Sequence, residues 1–239
     1  MAQAQPGLRF DDMVKRLLDL SVAVALLALA LPLIVLVAVA IKLDSRGPVF
    51  YRCRRVGFRG TELRMLKFRK MLHGASGAAL TTSDDARLTR VGWFLAKSKL
   101  DEIPQLWNVL KGEMSLVGPR PEDPEFVECR RREYETILSV KPGITGLCQL
   151  AFARESEILD GEKRVEDYVV RLLPQKTALD CLYAQGRSLL MDLRILGWTA
   201  AVVLLRRSVA VNRSTARLTS RRRPAAQTAP APARIGVQA

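Results

Sequence analysis

Residues 100 to 123 read LDEIPQLWNVLKGEMSLVGPRPED, with two adjacent carboxylates, Asp101 and Glu102, just before Pro104 and an arginine, Arg120, set between Pro119 and Pro121. The acidic pair precedes a helical pattern, so it lies where orphan N–H groups and the positive pole of the helix dipole favour anions. Taken alone, such a pair is most simply a helix cap. The proline pair adds to that reading. Pro119 and Pro121 fix their own φ angles and hold Gly118 and Arg120 extended, which offers the guanidinium from a stiff backbone suited to bidentate phosphate recognition. Two carboxylates among fixed cations suggest an anionic substrate bridged by a divalent metal. Mg²⁺ is usually held by one or two carboxylates together with substrate phosphates. A carboxylate can also attack phosphorus and split one displacement into two. Residue chemistry alone therefore reaches phosphoryl transfer.

The elements that must position these groups begin with a membrane segment. Leu20 to Ile41 carries no charge and is long enough to cross a hydrocarbon core as a helix. Pro32 sits inside it, and both flanks are basic, with Lys15 and Arg16 before it and Lys42, Arg46, Arg52, Arg54 and Arg55 after it. An ordinary single-span anchor is one reading. A kinked hairpin that enters and leaves the same leaflet is the other, and it satisfies the preference of both basic flanks for the cytoplasmic side. Glycines at 47, 57 and 60 then bracket two short runs rich in aromatic and branched residues, which predicts a small β-hairpin. If 63 to 69 is a strand, Leu63, Met65, Lys67 and Arg69 share one face, so two cations point together. The plain alternative is a solvated basic face.

Ile103, Leu106, Trp107 and Leu110 follow helical spacing, with Pro104 in the first turn and Gly112 at the far end. Residues 122 to 139 are expected to be helical and KPGITG, 141 to 146, to be a tight turn. Residues 162 to 190 read as helices broken near Pro174 and Gly186. Asp192 to Arg207 ends in an apolar run too short to span a bilayer, which fits an interfacial helix anchored by Trp198, Arg206 and Arg207, or a buried C-terminal helix. The resulting division is a tail at 1–11, a membrane segment at 12–43, a body at 44–205 that would carry the chemistry and a disordered basic tail at 206–239.

The chain has 38 Lys+Arg against 24 Asp+Glu, a net charge of +14. Eight arginines and no acid lie from Arg206 onward, so the body itself is only mildly basic. The four cysteines, 53, 129, 148 and 181, have no metal or disulfide spacing, and His73 is the single histidine, which argues against a zinc site and a Ser/His/Asp triad. A membrane-tethered nucleic-acid or lipid-binding protein is the main competing class. No basic platform interleaved with aromatics supports it, so no nucleic-acid partner is expected.

KFRKM (67–71), TRVGWFLAKSKLDEIPQLWNVLKGEMSLVGPRPE (89–122), KPGITGLCQL (141–150) and SLLMDLRIL (188–196) together resemble the bacterial sugar transferases, the monotopic phosphoglycosyl transferases, in that family's order across most of residues 12 to 205. The resemblance implies a helix-rich α+β monotopic membrane protein with a Pro32-broken re-entrant hairpin, a small β element and amphipathic interfacial helices. It implies transfer of a sugar phosphate from a nucleoside diphosphate sugar, UDP-linked by expectation, to undecaprenyl phosphate. The setting would be the cytoplasmic face of the inner membrane, ahead of downstream glycosyltransferases in extracellular polysaccharide, capsule or lipopolysaccharide assembly. Asp101 would be the nucleophile, forming a covalent phosphosugar ester, and Glu102 would belong with Asp101 to the Mg²⁺ site. Lys67 and Arg120 would bind phosphate, with Arg69 beside Lys67.

Three positions depart from the family pattern. Ala96 stands where many relatives have a basic residue, with Lys97 next door as the substitute phosphate ligand. Leu31 replaces a serine that often precedes the re-entrant proline, and Lys70 replaces a common threonine. An inactive scaffold of the same family is disfavoured by the intact Asp101, Glu102 and Arg120.

Overall fold

The computed structural model describes residues 10–77, 85–153, 164–205, 209–212 and 215–220. It begins with one long helix, α1 (Phe10–Asp44), which carries Asp11 and Asp12 in its first turn and Lys42 in its last, each matched to the dipole. The segment is a single helix with Pro32 inside it, not two helices meeting at a break. Pro32 removes one backbone hydrogen bond, and packing resumes immediately after it. Leu33, Ile34, Val37 and Ile41 join Phe68 and Leu95 in one apolar cluster.

Both ends of α1 are fastened to the same body. Near its start, Arg16 donates to the carbonyls of Val109 and Leu110, and Asp19 accepts from the Ser115 hydroxyl at 2.8 Å and the Leu116 N–H at 3.1 Å. Lys15 lies 2.6 Å from the buried Asp192 carboxylate, whose other oxygen is 2.7 Å from the Tyr183 hydroxyl. At its far end, Asp44 accepts the Val91 N–H at 3.0 Å. Between these anchors, Val24, Leu26, Leu29, Leu31, Val35 and Leu36 are exposed.

The first hairpin, β1 (Phe50–Val56) and β2 (Glu62–Phe68), is antiparallel, with Phe50 opposite Phe68 and Val56 opposite Glu62. Helix α2 (Arg90–Ser98) is capped by Thr89, whose hydroxyl accepts the Gly92 N–H at 2.9 Å. Helix α3 (Gln105–Lys111) ends at Gly112 with φ +80°. Trp107 departs from the expected apolar stripe and is exposed, while Leu106 and Val109 face the core.

KPGITG is more than a turn. Its Gly143–Thr145 is a short strand, β4, parallel to β3 (Ser115–Val117). Between them lie α4 (Pro124–Cys129) and α5 (Arg131–Ile137), and after them α6 (Leu147–Ala151), α7 (Arg164–Asp167), α8 (Leu173–Gly186) and α9 (Leu189–Leu205). Pro174 sits in the first turn of α8, directly after the π-helical turn Tyr168–Leu172 that follows α7, so the helical run changes near it as expected. Helix α9 buries Asp192 and Ile195 and exposes Leu190, Leu193, Val203 and Leu205, while Arg206 and Arg207 lie outside the described residues.

The chain beyond residue 206 is not wholly tail. Val209–Val211 (β5) and Leu218–Ser220 (β6) form an antiparallel hairpin, with Val209 buried and Val211 and Leu218 packed on the main core. Short apolar alternation among arginines had concealed it. Residues 221–239, and the tail at 1–9, lie outside the described residues. The main core joins Leu63 and Met65 of β2, Leu106 and Val109 of α3, Leu116 and Val117 of β3, Leu147 of α6, Leu179 and Tyr183 of α8 and Ile195 of α9.

Candidate active site

Lys99 closes α2 in the left-handed region, with φ 61°, and turns the chain into a short helical turn, Leu100–Glu102, that carries both carboxylates. A lysine in this conformation stores strain of about 1 kcal/mol, which the surrounding structure must hold in place. Leu100 and Ile103 anchor the turn in the cluster shared with α1, β2 and α2. Asn108 of α3 then ties this region to β2. Its side chain accepts the Leu66 N–H at 2.9 Å and donates to the Arg64 carbonyl at 3.0 Å. The acidic turn and the lysine-bearing strand are therefore held together by a backbone-reading side chain.

The two carboxylates are treated differently. Glu102 Oε1 lies 2.9 Å from Lys67 Nζ and 3.2 Å from Arg120. Burial alone would raise its pKa, but Arg120 first and Lys67 next override this and hold it far below the usual carboxylate range. Asp101 is buried, with Oδ2 3.4 Å from Lys70 Nζ and with Oδ1 buried and without a hydrogen-bond partner. Lys99 adds a fourth cation to the neighbourhood. Although the residue is exposed overall, desolvation of its amine, followed by Arg120, lowers its pKa against the opposing pull of Glu102 and Asp101. Four cations around two carboxylates leave a positive surplus suited to a diphosphate.

The arginine clamp is set by β4. Gly118 N–H donates to the Thr145 carbonyl at 2.9 Å and Gly143 N–H to the Pro119 carbonyl at 2.8 Å. The two backbones approach so closely that a Cβ on Gly118 would lie 2.4 Å from the Lys141 carbonyl oxygen. Only glycine fits there. Behind the clamp is a second charged cluster. Glu122 Oε2 lies 2.5 Å from the Tyr168 hydroxyl and 3.5 Å from Lys176 Nζ, which is 2.7 Å from the same hydroxyl. Burial opposes ionisation of Glu122, but Lys176, the Tyr168 hydroxyl and the Asp123 N–H lower its pKa. Asp180, one turn along α8 from Lys176, meets the Arg120 backbone N–H, and burial pushes its pKa up to about 8.

Of the residues singled out from the sequence, Asp101, Glu102, Lys67 and Arg120 come together. Arg69 does not join them. It is buried, and its three nitrogens donate to the carbonyls of Ser45, Arg46 and Pro48, fastening the chain after α1. It follows the strand's last residue, so the expected shared face with Lys67 stops short of it. Lys97 is exposed, with its ammonium 4.7 Å from the Trp93 ring centroid. Lys70 and Lys99 take the places that sequence reasoning gave to these two. Lys70 was visible in KFRKM, whereas nothing in the sequence marks a left-handed lysine at 99.

Among the described residues no three His, Cys, Asp or Glu side chains gather into a metal cage. The second oxygen of Glu102, whose cations both meet Oε1, together with the neighbouring Asp101 carboxylate fits a hard cation that completes its shell with phosphate and water.

The profile of the bacterial sugar transferases matches residues 10–206, from the start of α1 through α9. The chain belongs to the bacterial sugar transferase family. Its relatives include an undecaprenyl-phosphate glucose phosphotransferase of Komagataeibacter xylinus, 39% identical over 81% of this chain and 36% of the relative. A UDP-glucose:undecaprenyl-phosphate glucose-1-phosphate transferase of Caulobacter vibrioides is 41% identical over 77% of this chain and 67% of the relative. A UDP-N-acetylgalactosamine-undecaprenyl-phosphate N-acetylgalactosaminephosphotransferase of Aeromonas hydrophila is 36% identical over 80% of this chain and 44% of the relative. The sugar transferase chain thus spans about a third of the length of the first of these relatives. The matched stretch contains the acidic turn, all four cations around it and the Arg120 clamp.

Proposed function

We propose that this chain transfers a sugar phosphate from a UDP-sugar to undecaprenyl phosphate at a membrane surface, through a phosphosugar ester of Asp101. The observation that carries the reading is the sorting of the two carboxylates. Glu102 is fully engaged at one oxygen by Lys67 and Arg120, whereas Asp101 keeps one oxygen without a partner. That oxygen is the nucleophile. It attacks the phosphorus that bears the sugar, and the bond from that phosphorus to the bridging oxygen breaks, with the electron pair leaving on the nucleoside monophosphate. The acceptor lipid's phosphate then attacks the same phosphorus and releases Asp101 as a carboxylate. Arg120 and Lys99, and Lys67 with its Glu102 partner, neutralise the diphosphate and the leaving monophosphate. Asp101 and the second oxygen of Glu102 are the candidates to hold Mg²⁺, which when bound supplies further charge neutralisation at the diphosphate.

The membrane reading rests on α1. A helix of 35 residues reaches about 52 Å at about 1.5 Å per residue, well beyond the ~30 Å hydrocarbon core. Both of its ends grip one body, and both flanks are basic, so entry and exit on the same cytoplasmic side of the inner membrane accounts for the exposed apolar middle better than a crossing. Trp93 and Phe94 on α2 and the exposed apolar face of α9 would rest at the same interface.

The deciding experiment is nucleoside monophosphate release by the detergent-solubilised chain given Mg²⁺, undecaprenyl phosphate and a panel of UDP-sugars including UDP-glucose and UDP-N-acetylgalactosamine. Release with one donor, lowered at least about a thousandfold in Asp101→Asn, is the expected result. Full activity in Asp101→Asn removes the mechanism. Cysteines introduced at positions 10 and 46 of a cysteine-free background are expected to label from one membrane side, and labelling from opposite sides would establish a span.

A further inference from the structure

Lys70 and Lys67 lie three residues apart, yet they hold their carboxylates in different ways. Lys67 sits 2.9 Å from Glu102, with both side chains largely buried, and shares that oxygen with Arg120. Lys70 stands 3.4 Å from Asp101 Oδ2, a charge contact longer than a good hydrogen bond, and its side chain is 26% exposed. Its backbone, by contrast, is fixed. The Lys70 carbonyl accepts the Thr89 N–H at 3.0 Å, and α2 presses so close that a Cβ on Gly92 would lie 1.8 Å from that carbonyl oxygen. The result is a rigidly mounted lysine whose ammonium remains free to shift.

We propose that Lys70 is a catalytic residue of the first half-reaction, its ammonium passing from Asp101 Oδ2 to a non-bridging oxygen of the phosphoryl group as Asp101 Oδ1 bonds to phosphorus. This rests on the reading of Asp101 as nucleophile. As the ester forms, the carboxylate's charge disappears and Lys70 loses its anion. The incoming phosphoryl group brings a new anion to the same side chain. Lys70 keeps its proton throughout, the O–P bond to Asp101 replaces the P–O bond to the nucleoside monophosphate, and no oxidation state changes. Its contact with the phosphoryl oxygen exists only once the group is in transfer, which is where an interaction accelerates a step. Lys67 and Arg120 face Glu102, whose charge does not change in the step, so neither loses its anion as Lys70 does.

The test is rapid-quench measurement on the full chain without acceptor lipid. The probes are UDP-glucose and UDP-N-acetylgalactosamine labelled in the sugar, and the readouts are the burst of UMP and the label bound to protein. Lys70→Met is expected to slow the burst about 30- to 100-fold while donor affinity, measured by titration calorimetry, changes less than about threefold. Lys70→Arg should recover the rate to within about fivefold of the parent chain. A burst in Lys70→Met within about twofold of the parent overturns the proposal. So does an equal loss in both variants accompanied by a fall in melting temperature, since that marks a structural lysine. If the parent chain yields neither burst nor labelled protein from either donor, the aspartyl mechanism fails and Lys70 falls with it. A normal parent burst with an unchanged Lys70→Met removes only the role of Lys70.

Discussion

Two charged clusters meet at Arg120, one on each side of the proline clamp, and they are built from the same residue types. On one side the guanidinium joins Lys67, Lys70 and Lys99 around Asp101 and Glu102. On the other side the backbone N–H of the same residue meets Asp180, next to Glu122, Tyr168 and Lys176. Each cluster leaves one aspartate oxygen without a hydrogen-bond partner, Asp101 Oδ1 and Asp180 Oδ1. Their surroundings give these oxygens opposite meanings. Around Asp180 burial wins, its pKa rises to about 8, and at neutral pH the group carries a proton. Around Asp101 cations outnumber acids, and the free oxygen is available to an electrophile. A buried acid, then, signals chemistry only when the charge around it has been left unbalanced.

Breaking the rear cluster is expected to have the largest effect on stability. Lys176→Met leaves Glu122 buried without its cation and should cost about 3–5 kcal/mol in a denaturant melt. Adding Glu122→Gln should restore part of that loss, and a single variant as stable as the parent would mean the cluster is not a mutually dependent unit.

On the front side, Glu102→Gln frees Lys67 and Arg120 from their shared anion. A fall of about 100-fold in kcat/KM, about 3 kcal/mol, with little change in melting temperature is the expected outcome. A stability loss in place of a rate loss would make the two clusters alike after all.

The pH response sharpens the contrast further. The folded-state pKa of Asp180 lies above that of a free aspartate, so between about pH 4 and pH 8 the folded chain holds a proton that the unfolded chain has lost. Its contribution to stability therefore falls as pH rises through that window and is flat above it. The depressed pKa of Glu122 acts on the acid side instead, as stability that is lost when pH falls through its folded value. Asp180→Asn should gain about 5–10 °C in melting temperature relative to the parent between pH 6 and pH 9. A difference independent of pH would place the titration elsewhere.

The smallest effect is expected at Lys97, which touches neither cluster. Lys97→Ala should keep activity within about twofold and cost at most about 0.5–1 kcal/mol from its contact with Trp93. A large loss of donor affinity would return Lys97 to the site.

The long apolar segment, the first hairpin, the helix after the acidic pair and the glycine stop at 112 were legible because each depends on local pattern. Hydrophobic spacing, proline position and a left-handed glycine act within a few residues. The acidic pair and the Arg120 clamp were legible for the same reason. The fate of Arg69 was not, since it depends on carbonyls presented by residues 45 to 48, after α1. The β5–β6 hairpin was missed because its strands are three residues each, too short to register as a pattern, and are held by packing on the main core.

What the sequence determined by itself is therefore the reagent set: two carboxylates, a stiffly mounted arginine, a lysine-bearing strand and an apolar helix with basic flanks. The tertiary structure decided which cation serves which carboxylate. It gave Lys67 and Arg120 to Glu102, gave Lys70 to Asp101, brought Lys99 in and turned Arg69 and Lys97 away. Side-chain charge is written in the chain, but charge balance at a site depends on distances of a few ångströms between residues that are remote in sequence.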